Sequence, residues 1–428
     1  MDVTSYRVYG HSVQEITLDV PHNYSRPSDG ATIKLFARII GDDQSKPYLL
    51  FLQGGPGSPA PRQGNPTTGW IGRALQDYRV VLLDQRGTGR STRIDAATLE
   101  NFGSSAERVA YLKDFRADAI VGDCETLRAA LNAPPWYILG QSYGGFCITT
   151  YLSTHPEGVA GAYITGGLPG LEVALEDNYR ATYRQTIERN REYFAQFPDE
   201  QTVRDIIRHL DTHQERLPTG EVLSSRRFRT IGINLGTDTG YDALHFLLES
   251  PFCTVRGHRR LSQSFLTRIG AQLSFADRPL YALMHETIYA GRSAGLAGIP
   301  TAWAAERVRA EFPEFGAQGH YLTGEHIYPW QFEEDPALIP LRAEAHALAH
   351  DIDFPPLYDL QVLATNQVPV VAAVYTNDMF VPTTYSLQTA ELMGAKVWQT
   401  DAYQHDGLRA SAGKVLDRLI KLGNFRHV

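Results

Sequence analysis

Four short stretches carry residue types that make chemistry possible when they are brought together. Gly140-Gln141-Ser142-Tyr143-Gly144-Gly145 has the pattern G-x-S-x-G. It follows the apolar run Trp136-Tyr137-Ile138-Leu139 and precedes the helix-like Phe146–Ser153. A serine between small residues on a tight strand-to-helix turn has its hydroxyl lifted above a sheet edge, with a helix N-terminus beneath to favour developing negative charge. Gln53-Gly54-Gly55-Pro56-Gly57 follows the apolar run Tyr48–Leu52. A glycine loop there lets backbone N–H groups approach a reacting carbonyl. The N–H groups of Gly55 and Tyr143 are the expected oxyanion donors, and losing one such donor costs about 3 kcal/mol of transition-state stabilisation.

A serine hydroxyl needs a base to take its proton, and a carboxylate to hold that base in the right tautomer. With the serine first, the carboxylate and then the histidine must follow along the chain. Asn377-Asp378 comes after the apolar run Val370–Tyr375, and Gln404-His405-Asp406-Gly407 after Lys396–Thr400. His405 is the expected base and Asp378 its partner, with Asp359, Asp401 and Asp406 as rival carboxylates. Asp84-Gln85-Arg86-Gly87-Thr88-Gly89-Arg90-Ser91 follows the run Val80–Leu83. It lacks the G-x-x-x-x-G-K-[ST] of a phosphate loop, so its role is read as support of neighbouring loops by charge-assisted hydrogen bonds.

These residues need a frame. The runs Tyr48–Leu52, Val80–Leu83, Trp136–Leu139, Ala162–Thr165, Val370–Tyr375 and Lys396–Thr400 are short, mostly β-branched or aromatic, and end in glycine or acidic turns. Helical spacing separates some of them, as at Asp118–Leu131. That alternation predicts an α/β protein whose mostly parallel twisted sheet has helices on both faces. Together with the serine turn it points to the α/β-hydrolase fold. Glu15–Val20 and Thr32–Ile40 alternate in polarity and read as an antiparallel entry hairpin. From Leu168 to Ala349 the strand rhythm gives way to long helical stretches such as Asn178–Phe197 and Glu200–His213. The expected organisation is a catalytic domain in two parts, 1–167 and 350–428, with a helical cap, 168–349, inserted above the carboxyl ends of the strands.

Bulk properties narrow the function. The net charge is −8, and no cluster of Lys and Arg offers a nucleic-acid surface. No apolar run reaches the ~20 residues of a membrane helix. Three cysteines without a CxxC make neither a disulfide framework nor a cysteine zinc site. A soluble, cytoplasmic chain with no metal or cofactor is expected, and oligomeric state is left open.

The motifs quoted above resemble the prolyl aminopeptidase (proline iminopeptidase) family of serine peptidases. The inserted part resembles that family's larger bacterial type at His285-Glu286-Thr287-Ile288-Tyr289 and Thr323-Gly324-Glu325-His326-Ile327-Tyr328-Pro329-Trp330. Gln53 stands where members often have His in His-Gly-Gly-Pro-Gly. The resemblance implies release of N-terminal proline from a peptide through an acyl-enzyme on Ser142, with Glu286 and Glu325 holding the substrate's free amine. Acidic groups suit that task, because they bind an ammonium by charge-assisted hydrogen bonds and leave unpaired buried carboxylates when the amine is blocked. Phe252, Tyr289, Trp303 and Tyr328 are aromatic candidates for the proline slot. A related dipeptidyl or tripeptidyl aminopeptidase, an esterase or amidase on the same triad, and a non-catalytic hydrolase-fold binding module stay open at this point.

Overall fold

A computed structural model describes residues 1–26, 30–62 and 64–425. Strands β1 (Asp2–Val8), β2 (His11–Pro21), β3 (Thr32–Ile40), β4 (Tyr48–Leu52), β5 (Arg79–Asp84), β6 (Trp136–Gln141) and β7 (Val159–Thr165) precede the long insertion. Within it lies a separate hairpin, β8 (Phe252–Val255) and β9 (His258–Leu261), and after it come β10 (Val370–Tyr375) and β11 (Lys396–Thr400). The main sheet has the order β1-β2-β3-β5-β4-β6-β7-β10-β11. β1 to β3 pair antiparallel and β3 joins β5 antiparallel, whereas every pairing from β5 to β11 is parallel.

The central strands are apolar throughout because both faces of the sheet are covered. Successive residues feed two different cores. Leu49, Phe51, Val80, Leu82, Tyr137, Leu139 and Val371 pack on one face with Trp70, Leu416 and Leu419 of flanking helices. Leu50, Leu52, Val81, Leu83, Ile138, Ile164 and Ala372 pack on the other, against Val121, Ile148 and Leu152. The edge strand β11 is by contrast largely exposed or half-buried.

All six predicted runs are strands, and the helix expected at 118–131 spans Ala117–Ala130. The entry region contains one strand more than expected, β1, which is exposed along most of its length. The second core is also continuous with the insertion, through residues such as Tyr179, Tyr183, Leu280, Trp303 and Phe332. The helices read at 178–197 and 200–213 span Leu175–Gln196 and Glu200–Thr212. The β8–β9 hairpin was not expected. Its strands carry Arg and His and lie mostly exposed, so no alternating pattern marks them; Arg256 and Gly257, both at positive φ, make its turn. Among the described residues, no helix is long and apolar enough to cross a membrane.

Candidate active site

Ser142 stands between β6 and the helix Tyr143–Thr154, at φ 57° and ψ −126°. Few non-glycine residues adopt a positive φ, so the neighbours must hold it there. The Ser142 N–H donates to Thr165 O at 3.0 Å, and its carbonyl accepts from Gly145 N at 2.7 Å. The flanking glycines follow from close approach: a Cβ on Gly144 would stand 2.0 Å from the Leu52 carbonyl oxygen. Tyr143 is the first residue of its helix, so its N–H has no partner within the helix and is free to aim at an anion.

The Gln53–Gly57 loop lies against this turn, since a Cβ on Gly54 would be 2.9 Å from Ser142 Cβ. Gly55 has φ +137°, a backbone state that suits glycine. Gln85 Nε2 donates to Gln53 O at 3.3 Å and steadies the loop. The rest of the 84–91 turn is support, as its composition suggested. Arg86 is fully buried, forks onto Asp123 at 2.8 and 2.6 Å, and donates to the carbonyls of His22 and Asp114.

His405 and Asp378 meet at the strand ends. His405 Nδ1 lies 2.8 Å from Asp378 Oδ2, and the other carboxylate oxygen accepts the N–H groups of Phe380 at 2.8 Å and Val381 at 3.0 Å. Both side chains are buried, and Phe380 stands edge-on to the imidazole with ring centres 4.7 Å apart. With Nδ1 engaged by the carboxylate, Nε2 is left buried without a hydrogen bond. That is the atom a general base needs free. Burial pulls the His405 pKa down, but the charge and hydrogen bond of Asp378, helped by Glu325, outweigh it and leave the pKa raised. The rival carboxylates are otherwise occupied or placed: Asp359 caps the helix Leu360–Ala364, Asp401 is exposed, and Asp406 accepts the Asp238 N–H at 2.8 Å.

Ser142 and His405 line one cavity of about 270 Å³ together with Gly54, Gly55 and Glu325. The insertion roofs it and also holds the main chain at His405, whose backbone N–H donates to Gly236 O at 3.2 Å. Glu325 Oε1 accepts the Tyr281 hydroxyl at 2.6 Å. Glu286 is not among the cavity's lining residues. It is buried, its Oε1 accepts the Ala305 N–H at 3.0 Å, and its Oε2 has no partner. Burial, only partly offset by that hydrogen bond, pushes its pKa up to about 7. Tyr179 feels both glutamates: burial raises its phenol pKa, and the charges of Glu286 and Glu325 both add to the rise.

Of the aromatic candidates, Tyr289 packs beside Tyr179 and His285, close enough to the site for the charges of Glu325 and Asp378 to act on its phenol. The others are elsewhere. Phe252 packs on His209 and Arg259, Trp303 on Phe332 and His346, and the Tyr328 hydroxyl pairs with that of Tyr183. The aromatic rings lining the cavity are Tyr281 and Phe380, and Arg278 and Arg409 line it too. No motif marks these four. Arg409 follows His405 by four residues, and that nearness is the single sequence signal that could have drawn attention to it.

The sheet order, the serine turn and the His405–Asp378 pair define the α/β-hydrolase class, and residues 47–253 match the model of the alpha/beta hydrolase fold family. A proline iminopeptidase of Aeromonas sobria is 43% identical over 413 residues, covering 94% of each chain. One from Aspergillus aculeatus is 32% identical, covering 95% of this chain and 93% of its own. The chain belongs to the proline iminopeptidase family.

Proposed function

We propose that this chain is a serine aminopeptidase that releases N-terminal proline from peptides. Ser142 attacks the prolyl carbonyl, and His405 Nε2 takes the hydroxyl proton. Asp378 holds the imidazole and stabilises its charged form, while the Gly55 and Tyr143 N–H groups receive the oxyanion. His405 then returns the proton to the leaving amine, and water hydrolyses the prolyl ester on Ser142. Residues 168–349 act as the cap domain that chooses the substrate, and a cytoplasmic location fits the three cysteines, none of them in a disulfide.

The observation that carries this reading is the acidic group set among the triad residues: Glu325 shares the 270 Å³ cavity with Ser142 and His405. An esterase has no use for a carboxylate there, whereas a peptidase that requires a free α-amine does. Glu286 supports the same end from behind. A carboxyl with a raised pKa and one unpartnered oxygen is stabilised in its charged form by an incoming ammonium. The test is a panel of proline, alanine and dipeptide chromogenic amides, each with free and blocked amines. Free prolyl amides should be turned over fastest and blocked ones hardly at all. Equal rates on free and blocked substrates would refute the assignment.

A further inference from the structure

The cavity that holds Ser142, His405 and Glu325 also holds a cation that the reaction as described does not use. Arg409 lines it from the short helix Gly407–Ala410. Among the described residues its guanidinium makes neither a hydrogen bond nor an ion pair. The carboxylate nearest it in sequence, Asp406, lines the same cavity but is engaged with the Asp238 N–H at 2.8 Å. Arg278, the second arginine of the cavity, stands over the Tyr281 ring, 5.4 Å from its centre, and so belongs to the side where Tyr281 holds Glu325.

We propose that Arg409 receives the α-carboxylate of the residue that leaves, so that the favoured substrates are dipeptides with proline first and a free C-terminus. The inference rests on the aminopeptidase reading above.

Three observations converge on it. The first is direction. A general base that returns its proton to the leaving amine must have the leaving residue beside it. Arg409 follows His405 by four residues and lines the same cavity from an exposed position, near enough for its charge to oppose the rise in the imidazole pKa that Asp378 and Glu325 produce. In a dipeptide the α-carboxylate is two bonds from the leaving nitrogen, so its partner must lie close to the base. The second is chemistry. A cation beside a base that becomes cationic during reaction is unfavourable until an anion sits between or beside them. A guanidinium fork matches a carboxylate in charge and shape. The third is size. About 270 Å³ falls below the ~300–1,000 Å³ of pockets that take drug-sized ligands, and suits a small zwitterion held at both ends.

The test compares kcat/KM for prolylglycine and prolylglycinamide in the wild type and in Arg409→Gln, Arg409→Lys and Arg278→Gln, with proline p-nitroanilide as a separate reporter. The ratio of free acid to amide is read within each protein, so a smaller folded fraction cancels. The wild type should favour the free acid by about tenfold or more, the worth of a hydrogen bond between charged groups. Arg409→Gln should bring the ratio near one, and Arg409→Lys should keep part of it. A wild-type ratio near one, an unchanged ratio in Arg409→Gln, or loss of the ratio in Arg278→Gln instead would overturn the proposal. Failure of the wild type to cleave proline p-nitroanilide would strike the aminopeptidase reading itself.

Discussion

The sheet and the insertion contribute to one cavity in different ways. On the sheet side, each chemical residue sits at the end of a strand: Ser142 after β6, Gly55 after β4, Asp378 after β10 and His405 after β11. Parallel strands end at one edge, so a motif placed after a strand is already aimed at its partners. On the insertion side, Glu325 lies outside any helix or strand and is oriented by a hydroxyl 44 residues earlier, that of Tyr281. The chemistry is therefore built on rigid, locally determined positions. On the proposed reading, the selection of substrate rests on contacts that exist only once residues 168–349 have packed. Mutations on the two sides should accordingly differ in size and in what they change.

The largest effect is expected at the nucleophile. Ser142→Ala should lower kcat by about 10⁴- to 10⁶-fold on every substrate, blocked or free. Asp378→Asn should cost about 10⁴-fold in kcat, because an amide no longer holds the imidazole in the correct tautomer. Steady-state assays with an active-site titrant check both. If either variant changed substrate preference more than rate, the division between the two sides would break down.

Glu325→Gln should act the other way. It should cost about 10- to 100-fold in kcat/KM for free-amine substrates, the worth of one charge-assisted hydrogen bond, and little for blocked ones. The free-to-blocked ratio is the measurement.

A third effect couples the sides through pH. As the proposed base, His405 works only when neutral, so activity should be lost as pH falls through its pKa. That pKa is raised, which puts the acid limb of kcat/KM above the ordinary value of about 6.5. Below it the rate should fall about tenfold per pH unit. Because Glu325 contributes to the rise, Glu325→Gln should move the limb to lower pH. The pH dependence of Ser142 labelling by a fluorophosphonate, which carries no amine, reads this shift apart from amine binding.

The smallest effect is expected at Tyr281. Tyr281→Phe removes one hydrogen bond to Glu325, so kcat/KM for free-amine substrates should fall about fivefold, or about 1 kcal/mol. Phenylalanine keeps the ring that packs on Phe275 and His285, so the thermal midpoint should change little.

The same contrast explains what the sequence discloses. Ser142 and Asp378 are legible because each follows an apolar run that forms a buried strand, His405 because it follows the last strand run of the chain, and Ser142 further because its turn requires glycine at Gly144. Glu286 and Glu325 have no such local mark; family resemblance alone singles them out. The structure then separates their positions, one in the cavity and one a layer behind. Tyr281, Phe380, Arg278 and Arg409 are illegible because their importance lies in a hydrogen bond or an orientation between distant segments. The aromatic candidates fail for a related reason: Phe252, Trp303 and Tyr328 are as apolar as any slot residue, yet they pack in the cap away from the cavity.

Every effect above depends on activation of the Ser142 hydroxyl by His405. Reaction with a fluorophosphonate, followed by digestion and mass spectrometry, tests it most directly. A single adduct on Ser142 is predicted, forming with the acid limb described above and almost absent in His405→Gln. Labelling at another residue, or labelling of Ser142 that proceeds equally fast in His405→Gln, would contradict it.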